Sequence, residues 1–341
     1  MQKKIVTLAL QGGGSHGAFT WGVLDRLLED DRIEIEGISG SSAGAMNAAV
    51  LAHGFTVGGR DGARQALKNF WESVAIKAPF SFMSEESYTP ETIGPQSRPA
   101  PGMNALLALT RFFSPYQLNP FDINPLREIL TNQLDFARMR NECSIKLFIA
   151  ATQVSSGTLK LFRNKQMSLD VLLASACLPA IHRAVEIDGE AYWDGGFTAN
   201  PPIFPLLHQC TARDMIVVLL HAYPQPETPT SAADIFGRLT DIGFSSALST
   251  ELQGIALAQR EARRGLFAFG RLERRLRHLN IHLVDAKEFM SRLSGHSKLN
   301  THLPFINGLR NAGRNQAELW LKKNFHHLGV RSSYNLARYL R

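Results

Sequence analysis

Two periods of apolar and polar residues alternate along the chain. Residues 5–10, Ile5-Val6-Thr7-Leu8-Ala9-Leu10, form an almost unbroken apolar run, as expected of a strand covered on both faces. Helically spaced apolar positions follow over 18–29. The cycle then repeats: 34–39 alternates like a short strand, and the alanine-rich stretch 43–52 favours helix. Runs at 145–154 and 215–221 read as two more buried strands, again separated by helical stretches. Residues 184–194 carry a hairpin pattern with Asp188-Gly189 at its turn. Strands alternating with helices predict an α/β fold, a central, mostly parallel sheet flanked by helices on both faces.

At 341 residues the chain can bury a substantial core. The pattern divides it into one domain over 1–225 and a mainly helical C-terminal extension over 226–341 packed on it. Within the first part, 78–124 lacks clear periodicity, with Pro79-Phe80-Ser81-Phe82-Met83-Ser84 early on and Arg98-Pro99-Ala100-Pro101-Gly102 further along. It is too apolar for simple disorder, and reads either as a lid-like segment over a binding site or as an excursion packed on the core. The chain has no internal repeat and no low-complexity tract.

Three short stretches carry chemistry. In Gly40-Ser41-Ser42-Ala43-Gly44 a serine has glycine two places to either side, between a predicted strand and a predicted helix. This is the setting of a nucleophile elbow, where small neighbours make room for a strained turn. The amide of Ala43 and the helix start favour an oxyanion beside Ser42; a chance Gly-Ser turn is the alternative. Gln11-Gly12-Gly13-Gly14-Ser15-His16-Gly17 also lies between strand and helix, so its amides can converge on an anion, either a phosphate or a tetrahedral intermediate. Gly12, Gly14 and Gly17 fit the spacing of a dinucleotide loop, but a Walker loop would need Lys and Ser or Thr where Ala18 and Phe19 stand. The third stretch, Tyr192-Trp193-Asp194-Gly195-Gly196, ends the hairpin and puts Asp194 at a strand terminus. There it can serve as a general base or as one more solvated turn carboxylate.

From Lys4 to about Pro202 the order and spacing of these motifs resemble the patatin-like phospholipases. The similarity extends to Ala150-Ala151-Thr152-Gln153-Val154 and Ala174-Ser175-Ala176-Cys177-Leu178-Pro179-Ala180. The resemblance implies a serine lipid acyl hydrolase with Ser42 as nucleophile and Asp194 as base, a dyad needing neither metal nor organic cofactor. It makes Gly12, Gly13 and Gly14, with Ala43, the oxyanion hole, and Gly17, Gly40, Gly44, Gly195 and Gly196 supporting positions. It also implies a lipid or other long-chain ester as substrate. Thioester, acyltransfer or polyester chemistry on the same serine is the alternative, as is a lipid-binding module without turnover. His16 departs from the resemblance, since the family usually has Arg or Lys there. It reads as a residue meeting the substrate head group or facing solvent. His221, at the end of a predicted strand, offers a rival Ser-Asp-His triad, whereas His182 and His208 read as ordinary loop or helix residues.

Composition adds less. Lys and Arg outnumber Asp and Glu by 37 to 30, giving a net charge of +7 and a pI near 9.4. Arg260, Arg263, Arg264, Arg271, Arg274, Arg275 and Arg277 concentrate some of the excess, with Leu266, Phe267 and Phe269 between them. They read as a surface for peripheral contact with an anionic membrane or as a solvated helix face; no nucleic-acid module accompanies them. Cys143, Cys177 and Cys210 are scattered without metal-ligand spacing, which suits a reducing compartment. No cleavable leader or membrane span is legible, so a cytoplasmic location, peripheral at a membrane, is expected, with signal-less export as the alternative.

Overall fold

The computed structural model describes residues 3–77, 109–110, 112–220, 228–264, 270–291, 293 and 295–340. Its strands are β1 (Lys4–Leu10), β2 (Ile33–Gly40), β3 (Lys146–Gln153), β4 (Leu159–Arg163), β5 (Val185–Ile187), β6 (Glu190–Asp194), β7 (Asp214–Leu219) and β8 (Asn280–Asp285). They form one sheet in the order β5-β6-β3-β2-β1-β7-β8, with β4 also paired to β3. The stretch from β3 to β8 is parallel throughout, and β4, β5 and β6 add antiparallel pairs. The expected α/β architecture is therefore the observed one.

The helices are α1 (Gly17–Leu28), α2 (Ala43–Lys77), α3 (Pro125–Gln133), α4 (Phe136–Glu142), α5 (Leu169–Ser175), α6 (Phe204–Gln209), α7 (Ala232–Arg264), α8 (Arg271–His278) and α9 (Leu303–Asn324). Alternate strand residues feed two cores. Val6, Leu8, Leu10, Ile216 and Val218 meet Leu24 of α1, Leu51 of α2 and Leu309 of α9 on one face. Ala9, Met215, Val217 and Ile281 meet Leu206 of α6, Leu252 of α7 and Leu276 of α8 on the other. Two-sided burial is why β1 and β7 read as continuous apolar runs.

α1 and α9 cross at van der Waals contact of their backbones. A Cβ on Gly22 would collide with the Arg310 carbonyl, and one on Gly313 with that of Phe19. Next to this crossing, the buried Asp25 carboxylate is bonded by Arg64 at 2.8 Å, by Arg310 at 2.8 Å and by Arg314. Burial pushes this carboxyl up, but the three guanidinium bonds outweigh burial and hold it below its ordinary value.

β4 and β8 are strands that periodicity had not singled out. β8 extends the sheet from within the region after 225, which is otherwise mainly helical among the described residues. α2 runs well past 52 and breaks at Gly58-Gly59, where Gly59 takes a φ of 62°. No helix of the described residues is long and apolar enough to cross a membrane.

The register along β3 positions the site. Phe148 and Ile149 pair with both β2 and β4, and Ala151 and Thr152 with both β4 and β6. β2 and β6 must therefore share the edge of β3 opposite β4. β2 ends at Gly40, level with Ile149, and β6 arrives from the other direction to end at Asp194, level with Ala151. The two strand ends meet head to head.

Candidate active site

Ser42 follows β2 with a φ of 54°, a left-handed conformation that non-glycine residues rarely take. Gly40 and Gly44 make this turn sterically feasible. A Cβ on Gly40 would sit 2.5 Å from Gly44, and one on Gly44 would strike the Leu10 carbonyl. Ala43 opens α2, so its amide belongs to the first turn, where donors lack intrahelical acceptors.

The hairpin supplies Asp194. Its turn residues Asp188 and Gly189 have φ of 53° and 80°, the two positive values expected of a type I′ turn. The Asp194 carboxyl is fully buried and accepts a 2.7 Å bond from the Gly196 N–H. Burial pushes it up to about 7, against the pull of the Gly196 amide and the adjacent Ser42 hydroxyl. Its Oδ2 makes no hydrogen bond of regular geometry among the described residues. Close packing demands the two glycines after it: a Cβ on Gly195 would meet the Ala150 carbonyl, and one on Gly196 the Phe244 ring.

The glycine loop lies against the elbow. A Cβ on Gly12 would come 2.7 Å from Ser42 Cβ, and one on Gly17 2.6 Å from Ala43 Cβ. The Gly12 amide is already engaged, donating to Asn200 Oδ1 at 2.6 Å. As a predicted oxyanion donor Gly12 therefore has a competing acceptor in this structure, which holds the glycine loop to the stretch after the DGG motif. Gly13 is half-buried and Gly14 exposed, with a φ of 59°. His16 does not face solvent. It is buried, with Nε2 2.7 Å from Ser297 Oγ and its ring against Phe305 of α9.

Two residues that the sequence did not assign a role tie these parts together. Ser175, at the end of α5, accepts the Ser42 N–H through its carbonyl at 3.0 Å and its hydroxyl at 3.1 Å. Two residues on, the Cys177 carbonyl accepts the Asp194 N–H at 2.8 Å. One short loop therefore braces both candidate residues. Burial pushes the Cys177 thiol up to about 12, so it stays protonated beside them. Beyond the DGG motif, the Ala199 carbonyl accepts from Ser41 Oγ, Asn200 Oδ1 from Gly12, and the Pro202 carbonyl from Ser39 Oγ at 2.5 Å. A polar residue six positions after the aspartate was the only trace of Asn200 in the sequence.

His182 is half-buried and its imidazole is pushed down by burial, while His208 lies in α6. His221 falls outside the described residues, as do 78–108 of the lid-like segment and Leu266, Phe267 and Phe269. Part of the arginine-rich stretch is engaged within the chain. Arg275 spends its guanidinium on the carbonyls of Leu207, Thr211 and Ala212, and Arg264 pairs with Glu261.

A strained serine on a strand-to-helix turn, with a buried carboxyl and a glycine loop against it, defines an α/β protein of the nucleophile-elbow class. The family model described as patatin-like phospholipase matches residues 8–207, more than half of the chain, and the protein belongs to that family of lipid acyl hydrolases. No curated protein matches the chain. Among solved structures it is similar to VipD from Legionella pneumophila, at 15% identity and a TM-score of 0.45 over 95% of this chain and 67% of that one. A likeness of that degree adds nothing to the family assignment.

Proposed function

We propose that the protein is a serine lipid acyl hydrolase of phospholipase A type, working through Ser42 and Asp194. The observation that carries this reading is the head-to-head meeting of β2 and β6, which puts a strained serine and a buried carboxyl side by side. Asp194 takes the Ser42 proton as Oγ attacks the ester carbonyl. The amides of Gly13, Gly14 and Ala43 receive the oxyanion, each contributing on the order of a hundredfold in rate. Collapse returns the proton to the departing alcohol and leaves an acyl-serine. Water, deprotonated by Asp194, then releases the fatty acid. A base near neutrality suits this task, since it is about half ionised at pH 7 and mostly ionised by pH 8, yet still accepts a proton readily.

A lipid substrate is supported by the apolar surface around the site. Arg183 donates to the Pro120 carbonyl at 2.9 Å, fastening the stretch that carries exposed Phe112, Phe121 and Ile123 to the loop bracing Ser42 and Asp194. Phe197, just past the DGG motif, packs at a tilt against Phe244 of α7, whose N-terminal half exposes Phe236 and Leu239. We read this apolar rim, in place of the arginine stretch, as the surface for peripheral membrane contact.

The test is labelling with a serine-directed fluorophosphonate, followed by mass spectrometry of products from mixed phospholipids. Labelling and fatty-acid release that both vanish in Ser42→Ala are the expected result. Absence of labelling in the folded wild type would overturn the catalytic reading, and turnover of thioesters or polyesters but not phospholipids would reassign the substrate.

A further inference from the structure

A second concave site lies at the opposite end of the sheet. β7 and β8 run parallel to β2, so their first residues, Asp214 and Asn280, lie some 20 Å from the Ser42 end, at about 3.3 Å per strand residue. A cavity of about 730 Å³ opens there, lined by Arg213, Arg260, Arg263, Arg277 and Arg331 among others, with no carboxylate side chain in its wall among the described residues. Five arginines line it from separate places: the lead into β7, the end of α7, α8, and the loop after α9. Arg260 also pairs with Glu261 at 3.3 Å, and Arg277 pairs with Glu273 at 3.8 Å and donates to the Ala262 carbonyl at 2.6 Å. Arg213 and Arg263 have no ion-pair partner among the described residues.

The wall is held rigidly from behind. His282, fully buried, contacts Asp214 Oδ1 through Nε2 at 3.0 Å and Ser333 Oγ through Nδ1 at 2.9 Å. Asp214 Oδ2 accepts the Gly329 N–H at 2.8 Å, and Ser332 Oγ accepts that of Ile281 at 3.1 Å. The loop carrying Arg331 is thereby clamped to the sheet, so little ordering cost remains when an anion arrives. Like charges so grouped repel one another, and guanidinium forks match phosphate oxygens. A single phosphate would neutralise only part of this wall and occupy a small part of the volume.

We propose that this cavity is a binding site for an anion bearing two or more phosphate groups, separate from the ester-cleaving centre. The ligand is either a soluble polyphosphate or the head group of a multiply phosphorylated lipid, and the two are separable by experiment. Calorimetric titration of the full chain with inorganic tripolyphosphate at 150 mM salt is expected to give saturable one-to-one binding. Arg213→Gln with Arg331→Gln should weaken it at least tenfold, because both side chains are exposed and the core is untouched. The control pair Lys160→Gln with Arg163→Gln, on β4, should leave it unchanged. In the parallel arm, phosphatidylcholine vesicles with and without a bisphosphorylated phosphatidylinositol are sedimented with wild type and the arginine variant. Retention that needs the phosphorylated lipid and both arginines identifies a head group. Tripolyphosphate binding without retention identifies a soluble ligand. Absence of both, or weakening by the control pair as large as by the arginine pair, overturns the proposal.

Discussion

Replacing Asp194 by asparagine should separate catalysis from stability. In the folded chain this carboxyl is raised from 3.8 to about 7 because burial strips its water. Roughly three pH units correspond to about 4 kcal/mol of cost for holding the charged form inside the fold. The sign follows from linkage: the folded state binds the proton more tightly, so the cost is absent below pH 3.8, grows between 3.8 and about 7, and is complete above. Asparagine keeps an oxygen for the Gly196 N–H but adds a buried donor that costs about 1–2 kcal/mol. Asp194→Asn should therefore be more stable than wild type by about 2 kcal/mol at pH 8, with the gain gone by pH 4.5. Urea unfolding at several pH values measures this. Ester hydrolysis by the variant should fall at least a hundredfold, and wild-type kcat/KM should climb tenfold per pH unit up to about 7 before levelling. A variant no more stable than wild type at pH 8, or a wild-type rate flat from pH 5 to 8, would refute the link between burial and basicity.

Other outcomes are checked more simply. Asn200→Ala frees the Gly12 amide and loosens the glycine loop, so kcat should drop on the order of tenfold to a hundredfold with KM little changed in steady-state assays. Gly313→Ala should destabilise by about 2 kcal/mol in thermal or urea unfolding, because its methyl would strike the Phe19 carbonyl despite alanine's better helix propensity. Asp25→Asn should cost about 2 kcal/mol at neutral pH, a value discounted for the solvent reaching its arginines. That difference should narrow below pH 4, as wild type protonates the same carboxyl through its lowered folded value; denaturant titrations at pH 3 and 7 test it.

Most of the sheet was legible because β1, β2, β3 and β7 bury both faces or alternate cleanly, and glycine-rich turns follow β1 and β2. Ser42, Asp194 and the crowded glycines were legible for a related reason: a turn that tight admits few residue types. β8 escaped notice although Ile281-His282-Leu283-Val284 has strand character, since its polar face is a histidine whose partners, Asp214 and Ser333, lie far away in sequence. The same holds for Ser175 and Asn200, whose roles rest on hydrogen bonds spanning more than a hundred residues. The burial of His16 was not legible because nothing local announces that Ser297 and Phe305 fold over it. Which arginines of the 260–277 stretch are engaged was not legible either, because the carbonyls that hold Arg275, those of Leu207, Thr211 and Ala212, lie more than sixty residues away.

With Ser42 and Asp194 in the proposed roles, the edge of β3 shared by two opposed strands also makes turnover a gauge of ladder alignment. Sliding the β5–β6 hairpin by two residues would preserve its inward-facing side chains yet carry the carboxyl about 7 Å from the serine. Substitutions that relax the Asp188-Gly189 bend should accordingly silence the enzyme while leaving its melting transition almost where it was.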